Sequence, residues 1–406
     1  MNVSARKFAV FLAGRQEKMR DRWEAGRKKE DTGSLMMKQL WKCGMLSRLF
    51  GCLFIQNFCD RSLTRGKVRI MSAYTFYSAV WILFSTSLSA VFIFKVFLSS
   101  EIAHSFTKSL IFILNNVVTV KIVLNFTCMT LGSSRLLRFL RDSEAYEKSA
   151  SFENADSRSV RIRKVASLAV LVVVYGLGMT IYAGSTTQQD SSMRVPVLVC
   201  SSFTLFVFLF YDSLAYVVLS SCSAVLAEYL RAELATLRSC RTPWHVEQVR
   251  LRFSLIKKLK LSLNQVWHPA LAVWAACLIL VLCVSLYAIF DGDIGQPEVW
   301  LALAYSAYAS MSFADVAISS QCLSDLAQQL KDASLLVEMS GESYNEQVQF
   351  LHRTVDPEAL CFTGGGFFHL NKALLVSMSG SIITYAVILV QTSEELAEHV
   401  DVSRLV

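Results

Sequence analysis

Seven long apolar segments are the feature that most restricts how this 406-residue chain can fold. A helix that crosses the hydrocarbon layer needs roughly 20 apolar residues, at about 1.5 Å per residue. Only 18% of the residues are charged, against roughly 25% in soluble domains, and the alternation that a membrane β-barrel requires is missing. The sequence therefore predicts an all-α membrane protein with seven transmembrane helices, at about residues 72–99, 109–131, 165–184, 195–220, 266–290, 298–322 and 370–391.

Lysine and arginine are divided very unevenly between the two sides that seven spans define. The first 71 residues hold sixteen of them, and segments 132–164, 221–265 and 323–369 hold eight, eight and two. The loops and tail of the opposite side together hold three. Because basic loops stay on the cytoplasmic side of a membrane, the N-terminus is predicted to be cytoplasmic and the C-terminus extracellular.

Apolar side chains continue at helical spacing beyond the fourth, fifth and sixth spans. They are Leu226, Leu230, Leu234 and Leu237, then Phe253, Ile256 and Leu259, then Leu323, Leu326 and Leu330. Such stripes form a packed core or a subunit contact, so we expect cytoplasmic helix extensions that make an anchor domain. The predicted division is a cytoplasmic segment 1–71 with a possible interfacial helix at 44–59, a six-helix bundle with anchor helices at 72–322, a cytoplasmic linker or anchor at 323–369, the seventh helix at 370–391 and an extracellular tail at 392–406.

Nothing in the sequence indicates catalytic, metal or cofactor chemistry. The histidines at 245, 268, 352 and 369 are scattered rather than placed at metal-ligand spacing. The glycines at 364–366 lack the other residues of a phosphate-binding loop and suggest a flexible entry into the seventh helix. The lysines at 257, 258 and 260 are explained by cytoplasmic placement near anionic lipid. We therefore predict no enzyme, no cofactor and no nucleic-acid partner, with membrane lipids as partners.

Three ionisable residues lie deep enough in the predicted spans to require an explanation. They are Lys121 in the second span, Asp212 in the fourth and Asp315 in the sixth. On insertion scales each charge costs roughly 2.5–3.5 kcal/mol at the centre of a bilayer. We predict that Lys121 pairs with Asp212 or Asp315 and so fixes the packing of the helices. The alternative is that Lys121 extends its amine to the inner interface.

The end of the seventh span carries a distinctive string. Thr384 and Tyr385 are followed by five apolar residues and then by Gln391. This string, TYAVILVQ, resembles the signature that closes the last transmembrane helix of arthropod gustatory receptors, except that Thr392 stands where that family has phenylalanine. Other stretches that resemble the family's approach to this helix are residues 349–351, 357, 366–370 and 374–375.

The resemblance implies a seven-helix chemoreceptor of the plasma membrane that acts as a ligand-gated, non-selective cation channel. It implies a homo- or heterotetramer, opened by a small-molecule tastant, with a pore lined by the seventh helix of each subunit. The pore and gate residues are then Thr384, Tyr385, Ile388 and Gln391. Thr384, Ile388 and Gln391 share one helical face, so an apolar ring at Ile388 could close the pore by dewetting and the Gln391 amides could coordinate partly hydrated cations. The alternative is that Thr384 and Gln391 form hydrogen bonds between helices.

Recognition of a tastant from outside would use the outer halves of the other spans. Aromatic side chains with polar groups suit small-molecule pockets, although aromatic residues near span ends are also typical of the membrane interface. That alternative, or a place in the core, stays open for each candidate. The ligand-pocket candidates are Asn115, Asn116, Tyr175, Tyr182, Tyr287, Tyr305 and Tyr308.

Two other functions remain open from the residues alone. A secondary transporter would use a Lys–Asp site near the midplane, but such proteins usually consist of repeated halves, and no repeat is visible here. A metabotropic seven-helix receptor would have its N-terminus outside, against the predicted orientation.

Overall fold

The computed structural model is helical along nearly all of the chain that it describes. It describes residues 34–49, 51, 55–56, 66–68, 74–80, 83, 87, 106–150, 158–185, 191–239, 242–290, 297–336 and 342–404. Its longer α-helices are α1 (Leu35–Leu49), α2 (Phe106–Leu131), α3 (Ser133–Ala150), α4 (Arg158–Ser185), α5 (Ser191–Arg238), α6 (Pro243–Phe290), α7 (Pro297–Leu335), α8 (Glu342–Thr354) and α9 (Lys372–Arg404). The all-α prediction is confirmed.

Two small antiparallel hairpins and one 3₁₀ helix connect these helices. In the first hairpin β1 (Ile55–Gln56) pairs with β2 (Lys67–Val68), in the register Ile55 with Val68. The 3₁₀ helix Glu358–Leu360 leads into the second hairpin. There β3 (Thr363–Gly364) pairs with β4 (Phe368–His369), in the register Thr363 with His369, directly before α9.

Five of the seven predicted spans lie within α2, α4, α5, α6 and α7, and the seventh lies within α9 except for its first two residues. Within the described part of the chain, α5, α6 and α7 are long and apolar enough to cross a membrane, and α2 with α3 makes a fourth candidate bent by 59°. The apolar parts of α4 and α9 are shorter. Of the predicted first span, residues 74–80, 83 and 87 are described and are helical. The rest of that span lies outside the described residues.

Two helix ends differ from the predicted boundaries. The interfacial helix expected at 44–59 is instead α1, which ends at Leu49, and Gly51 then takes a positive φ of 75°. A side chain at Gly51 would lie 3.2 Å from the Cα of Ser78, so glycine permits both the turn and the close approach. At the other end α9 runs to Arg404 rather than stopping at 391. The residues that follow 391 are rich in Glu, Leu and Ala, which favour helix.

The corner between α2 and α3 was not predicted from the sequence. A side chain at Gly132 would lie 2.7 Å from Cγ1 of Val266, so glycine lets this corner pack closely against α6. Pro269 lies inside α6, where it removes the N–H that would otherwise bind the carbonyl four residues earlier. That carbonyl belongs to Gln265, and Nη1 of Arg135 on α3 donates to it at 3.1 Å.

The long helices extend well beyond a membrane. At about 1.5 Å per residue, the 48 residues of α5 or α6 greatly exceed a hydrocarbon layer of about 30 Å. All ten apolar residues of the predicted stripes, from Leu226 to Leu330, are buried. The extensions of α5, α6 and α7 therefore have a packed core of their own, which we call the extension core.

Glu147 on α3 attaches α1 to the extension core. Its two carboxylate oxygens accept hydrogen bonds from the backbone N–H groups of Leu35 at 2.6 Å and Met36 at 3.0 Å. The hydroxyl of Tyr229 on α5 donates to the same carboxylate. Burial, and next the charge of Glu147, raises the pKa of Tyr229 well above its usual range. Tyr229 therefore remains a donor, and Glu147 satisfies N–H groups that a helix start leaves without partners.

We predict that Glu147→Ala releases α1 while leaving the long helices folded. Two buried N–H groups and one hydroxyl would lose their acceptor, at a cost of roughly 1–3 kcal/mol. Hydrogen exchange of residues 35–49 should rise in purified protein. Glu144→Ala is the control, because the Lys148 partner of Glu144 is exposed; equal exchange in the two variants would contradict the role of Glu147.

Candidate functional site

A buried ion pair lies among α2, α5, α6 and α7. Nζ of Lys121 lies 3.0 Å from Oδ2 of Asp212, and these side chains are 4% and 1% exposed. The other carboxylate oxygen accepts a hydrogen bond of 3.0 Å from Nδ2 of Asn125, one helical turn after Lys121. The hydroxyl of Tyr305 donates to Asp212 at 3.1 Å and accepts from Lys121 at 3.2 Å. The carboxylate is thus held by three donors from two helices.

Aromatic rings surround the ammonium of Lys121. Its Nζ lies 5.4 Å from the ring centroid of Trp274, 5.5 Å from that of Tyr305 and 6.0 Å from that of Tyr308. Cations are attracted to ring faces at such distances. Nε1 of Trp274 also donates to Oδ1 of Asn125 at 2.6 Å. We call these six residues (Lys121, Asn125, Asp212, Trp274, Tyr305 and Tyr308) the charge cluster.

The charge cluster connects four helices through directed contacts. A buried ion pair gains from its mutual attraction only when further hydrogen bonds satisfy the remaining polar atoms, and Asn125 and Tyr305 supply them here. Removing one partner would leave an unpaired charge in an apolar interior, which is unfavourable. The cluster therefore fixes how α2, α5, α6 and α7 pack, and any movement between them must rearrange it.

Asp315 lies in a separate contact between α5 and α7. Its Oδ2 accepts hydrogen bonds from the hydroxyl of Tyr216 at 2.9 Å and from Oγ of Ser220 at 2.8 Å. Of the two partners considered for Lys121, the structure places Asp212 in contact with it. Within the described residues, no group of three or more His, Cys, Asp or Glu side chains could hold a metal ion.

The other predicted pocket residues are not members of the charge cluster. Tyr175 is half-buried, with its hydroxyl 2.6 Å from Oγ of Ser202. Tyr287 is buried and Asn116 is half-buried. The side chains of Asn115 and Tyr182 lie outside what the structure describes.

Sequence reasoning missed two members of the charge cluster. Asn125 forms part of a chance glycosylation sequence, yet it lies four residues after Lys121 and therefore on the same helical face. That spacing was the available signal. Trp274 carries no comparable signal, because a tryptophan in an apolar span is ordinarily a packing residue.

Among the side chains of the seventh helix that the structure describes, the buried ones share one face. Met378, Ile382 and Ala386, spaced four apart on α9, are buried. The four predicted pore residues lie elsewhere on the helix: Thr384, Tyr385, Ile388 and Gln391 are all exposed, Tyr385 by 56% and Ile388 by 48%. Oγ1 of Thr384 donates to the carbonyl of Gly380 at 3.0 Å, within the helix. The side of α9 that carries these four residues is therefore largely exposed in one chain.

A hydrogen-bonded segment precedes α9, where the sequence suggested a flexible entry. The N–H of Phe367 donates to the carbonyl of Gly364 at 3.0 Å, and Gly365 and Gly366 between them have φ of 60° and 81°. Two positive φ values are typical of the type I′ turn, which favours Gly-Gly. Lys260 of α6 is buried and donates to the carbonyl of Cys361 just before this hairpin.

Burial lowers the pKa of Lys260 to about 8. The usual pKa of a lysine is about 10.4. At pH values between about 8 and about 10.4 the unfolded chain therefore binds more protons at Lys260 than the folded protein does. We therefore predict that the folded protein gains stability as pH rises from about 8 towards 10, relative to Lys260→Met, by roughly 1–2 kcal/mol. Melting temperatures of purified wild type and variant at pH 7.5 and 9.5 provide the measurement. A constant difference between the two proteins would contradict the lowered pKa.

These features define a class first: a multi-pass helical membrane protein with a buried charge cluster and one helix that is exposed on one side. The chain belongs to the 7tm Chemosensory receptor family, whose model matches residues 45–396. That family consists of receptors, so the chain is not an enzyme. The family shown includes the insect odorant and gustatory receptors, which confirms the resemblance seen in the sequence.

Solved structures of an insect receptor share this fold. The insect olfactory receptor OR5 from Machilis hrabei, in complex with eugenol, matches 87% of this chain and 98% of its own, with a TM-score of 0.67 and 14% identity. A second structure of that receptor, described without eugenol, gives a TM-score of 0.69 with the same identity and coverage. No curated protein matches the chain.

Proposed function

We propose that this protein is a chemosensory receptor of the gustatory type that acts as a ligand-gated, non-selective cation channel in the plasma membrane. Its family supports a chemosensory role, and the closing string TYAVILVQ supports the gustatory type. The distribution of lysine and arginine supports a cytoplasmic N-terminus. The observation that carries the channel proposal is the exposed side of α9 with Thr384, Tyr385, Ile388 and Gln391.

One helix face cannot enclose a pore, so the proposal requires several copies. In a homo- or heterotetramer, four α9 helices would surround one axis and turn these residues towards it. An Ile388 ring is narrow and apolar enough to exclude water when closed. The amides of Gln391 offer neutral oxygens to cations that keep part of their hydration shell, which suits a non-selective cation pore.

A small organic ligand would act by favouring one arrangement of the helices that meet at the charge cluster. Tyr305 and Tyr308 combine aromatic surface with hydroxyl groups, as pockets for small molecules do. The structurally similar olfactory receptor was solved in complex with eugenol, which is a small molecule. A ligand opens the channel only if it binds the open arrangement more tightly, and four subunits can add modest differences.

Recording from excised membrane patches tests the proposed function. Cells that express the chain alone, or with a related subunit, should respond to members of a tastant panel with a non-selective cation current. The current should persist in an excised patch without nucleotide, because the pore belongs to the receptor. A response that disappears on excision and returns with guanine nucleotide would instead establish a metabotropic receptor.

The ion pair of Lys121 and Asp212 favours one other candidate, a secondary transporter with a site near the midplane. A transporter moves its substrate without unitary currents, whereas a channel shows discrete openings. Substrate-dependent flux that saturates without discrete openings would favour the transporter over the channel.

A further inference from the structure

Helix α6 holds the segment before α9 at three evenly spaced points. Lys260 donates to the carbonyl of Cys361. Asn264 donates from Nδ2 to Oγ1 of Thr363 at 2.8 Å and accepts from the Thr363 N–H at 3.0 Å. One turn further on, the carbonyl of His268 accepts from the N–H of Gly365 at 2.7 Å. Three successive turns of α6 thus bind alternate residues of the segment 361–365.

The spacing of these points has a geometric cause. Four helical residues rise about 6.0 Å, and two extended residues span about 6.6 Å. An extended segment lying along a helix can therefore meet one side chain or carbonyl per turn with every second residue. The match allows the segment to stay attached to α6 over its whole length.

Helix α7 holds the same segment from another direction. Phe362 is fully buried, and its N–H donates to Oγ of Ser320 at 2.8 Å. Its ring centroid lies 5.6 Å from Nζ of Lys260, and its carbonyl accepts from the N–H of Leu370 at 2.8 Å. The segment is therefore bound to α6, to α7 and to the returning strand. We call residues 361–365 with Lys260, Asn264, His268 and Ser320 the clasp.

The clasp leads directly into the seventh helix. After the turn at Gly365 and Gly366, the chain returns through β4, and Oδ1 of Asn371 accepts from the N–H of Leu374 at 2.8 Å in the first turn of α9. Short, hydrogen-bonded elements are stiff compared with a free linker. A displacement of α6 or α7 at the clasp therefore reaches the start of α9.

The two helices of the clasp also carry the charge cluster. Trp274 lies on α6, less than two turns after His268. Tyr305 and Tyr308 lie on α7, with Ser320 further along the same helix, about 18–22 Å from them at 1.5 Å per residue. Coupling between distant sites needs a physical element that responds to both, and α6 and α7 are such elements.

We propose that the clasp transmits movement of α6 and α7 to α9, and that Lys260 and Asn264 are positioning residues for channel opening. This inference rests on the proposed function. Loosening the clasp lets α6 and α7 rearrange on ligand binding while α9 stays where it is. The maximal ligand-evoked current falls, whereas the ligand still binds because the charge cluster is intact.

A reversible cross-link between α6 and β3 provides the test. Asn264→Cys and Thr363→Cys each remove hydrogen bonds of the clasp, and each should lower the maximal current per surface receptor at least severalfold. In the double variant a mild oxidant should join the two thiols as a disulfide and restore the current, and a reductant should remove it again. Because oxidation is applied to receptors that are already at the cell surface, a change in current on oxidation cannot come from a change in folding or delivery.

Two further sets of variants separate the effect of the clasp from nonspecific effects of oxidation and of substitution. Gln328→Cys with Asp332→Cys places a cysteine pair on α7, outside the clasp, where the native side chains form a 2.7 Å hydrogen bond; oxidation of this pair should leave the current unchanged. Lys260→Met should lower the maximal current, and Lys260→Arg should lower it less because the charge is retained.

The outcomes distinguish this inference from the proposed function. Single variants with the current of the wild type, or a double variant that oxidation does not restore, would overturn the clasp while a ligand-gated wild type still supported the channel. A wild type without ligand-gated current would overturn both.

Discussion

Asp212→Leu is expected to remove most of the receptor from the cell surface and to lower its melting temperature strongly. The substitution leaves the ammonium of Lys121, the amide of Asn125 and the hydroxyl of Tyr305 without their shared acceptor. Breaking a buried pair in this way costs roughly 3–5 kcal/mol, a large part of a typical stability of about 5–15 kcal/mol. Surface biotinylation and thermal unfolding in detergent measure the effect.

The control and the rescue for this prediction use the same two assays. Asp325→Leu replaces an exposed aspartate on α7 and should change little. Adding Lys121→Met to Asp212→Leu removes the unpaired charge, so the double variant should recover part of the lost surface expression. If the double variant reaches the cell surface no better than Asp212→Leu alone, the unpaired charge of Lys121 is not the cause of the loss.

Ile388→Ser is expected to produce a channel that conducts without ligand. In the proposed tetramer the substitution replaces an apolar ring by four hydroxyl groups, which removes the barrier to wetting. A total change of only about 1.4 kcal/mol in the closed–open balance raises the open-to-closed ratio tenfold, and four substituted subunits should exceed this. Basal current before any ligand, normalised to surface protein, provides the measurement.

Ile383→Ser is the matched control for the gate. Ile383 is also an exposed isoleucine of α9, but it lies roughly 140° around the helix from Ile388. The substitution Ile383→Ser should therefore leave the basal current near that of the wild type. Equal leak from both positions would mean that the substitutions loosen the helix rather than wet a pore.

The architecture follows from the sequence because lipid imposes simple requirements. A long apolar segment must satisfy its backbone hydrogen bonds within itself, so the spans are visible without tertiary information. Leucine stripes such as Leu226, Leu230 and Leu234 predict the buried side of a helix extension, because an apolar face packs away from water. Helix α3 is harder to predict, because it is amphipathic rather than apolar and begins at a bend that Gly132 permits by packing against α6.

The candidate site is only partly visible from the sequence. A lysine inside a span needs a partner, so Lys121 is identifiable by itself. Choosing Asp212 over Asp315 depends on which helices touch, which spacing along one chain does not determine. The clasp is less visible still, since strands of two residues are too short to show alternation, and Gly365 and Gly366 read as flexible until the turn is seen.

The measurement that tests the central claim most directly is single-channel recording from purified receptor in lipid bilayers, with charge varied at Gln391. If α9 lines a cation pore, ligand should evoke discrete openings. Gln391→Glu should raise the unitary cation conductance and Gln391→Arg should lower it, because a ring of like charges attracts or repels the permeating ion. Ligand-dependent transport without discrete openings, or a unitary conductance that is the same for all three side chains, would contradict the account.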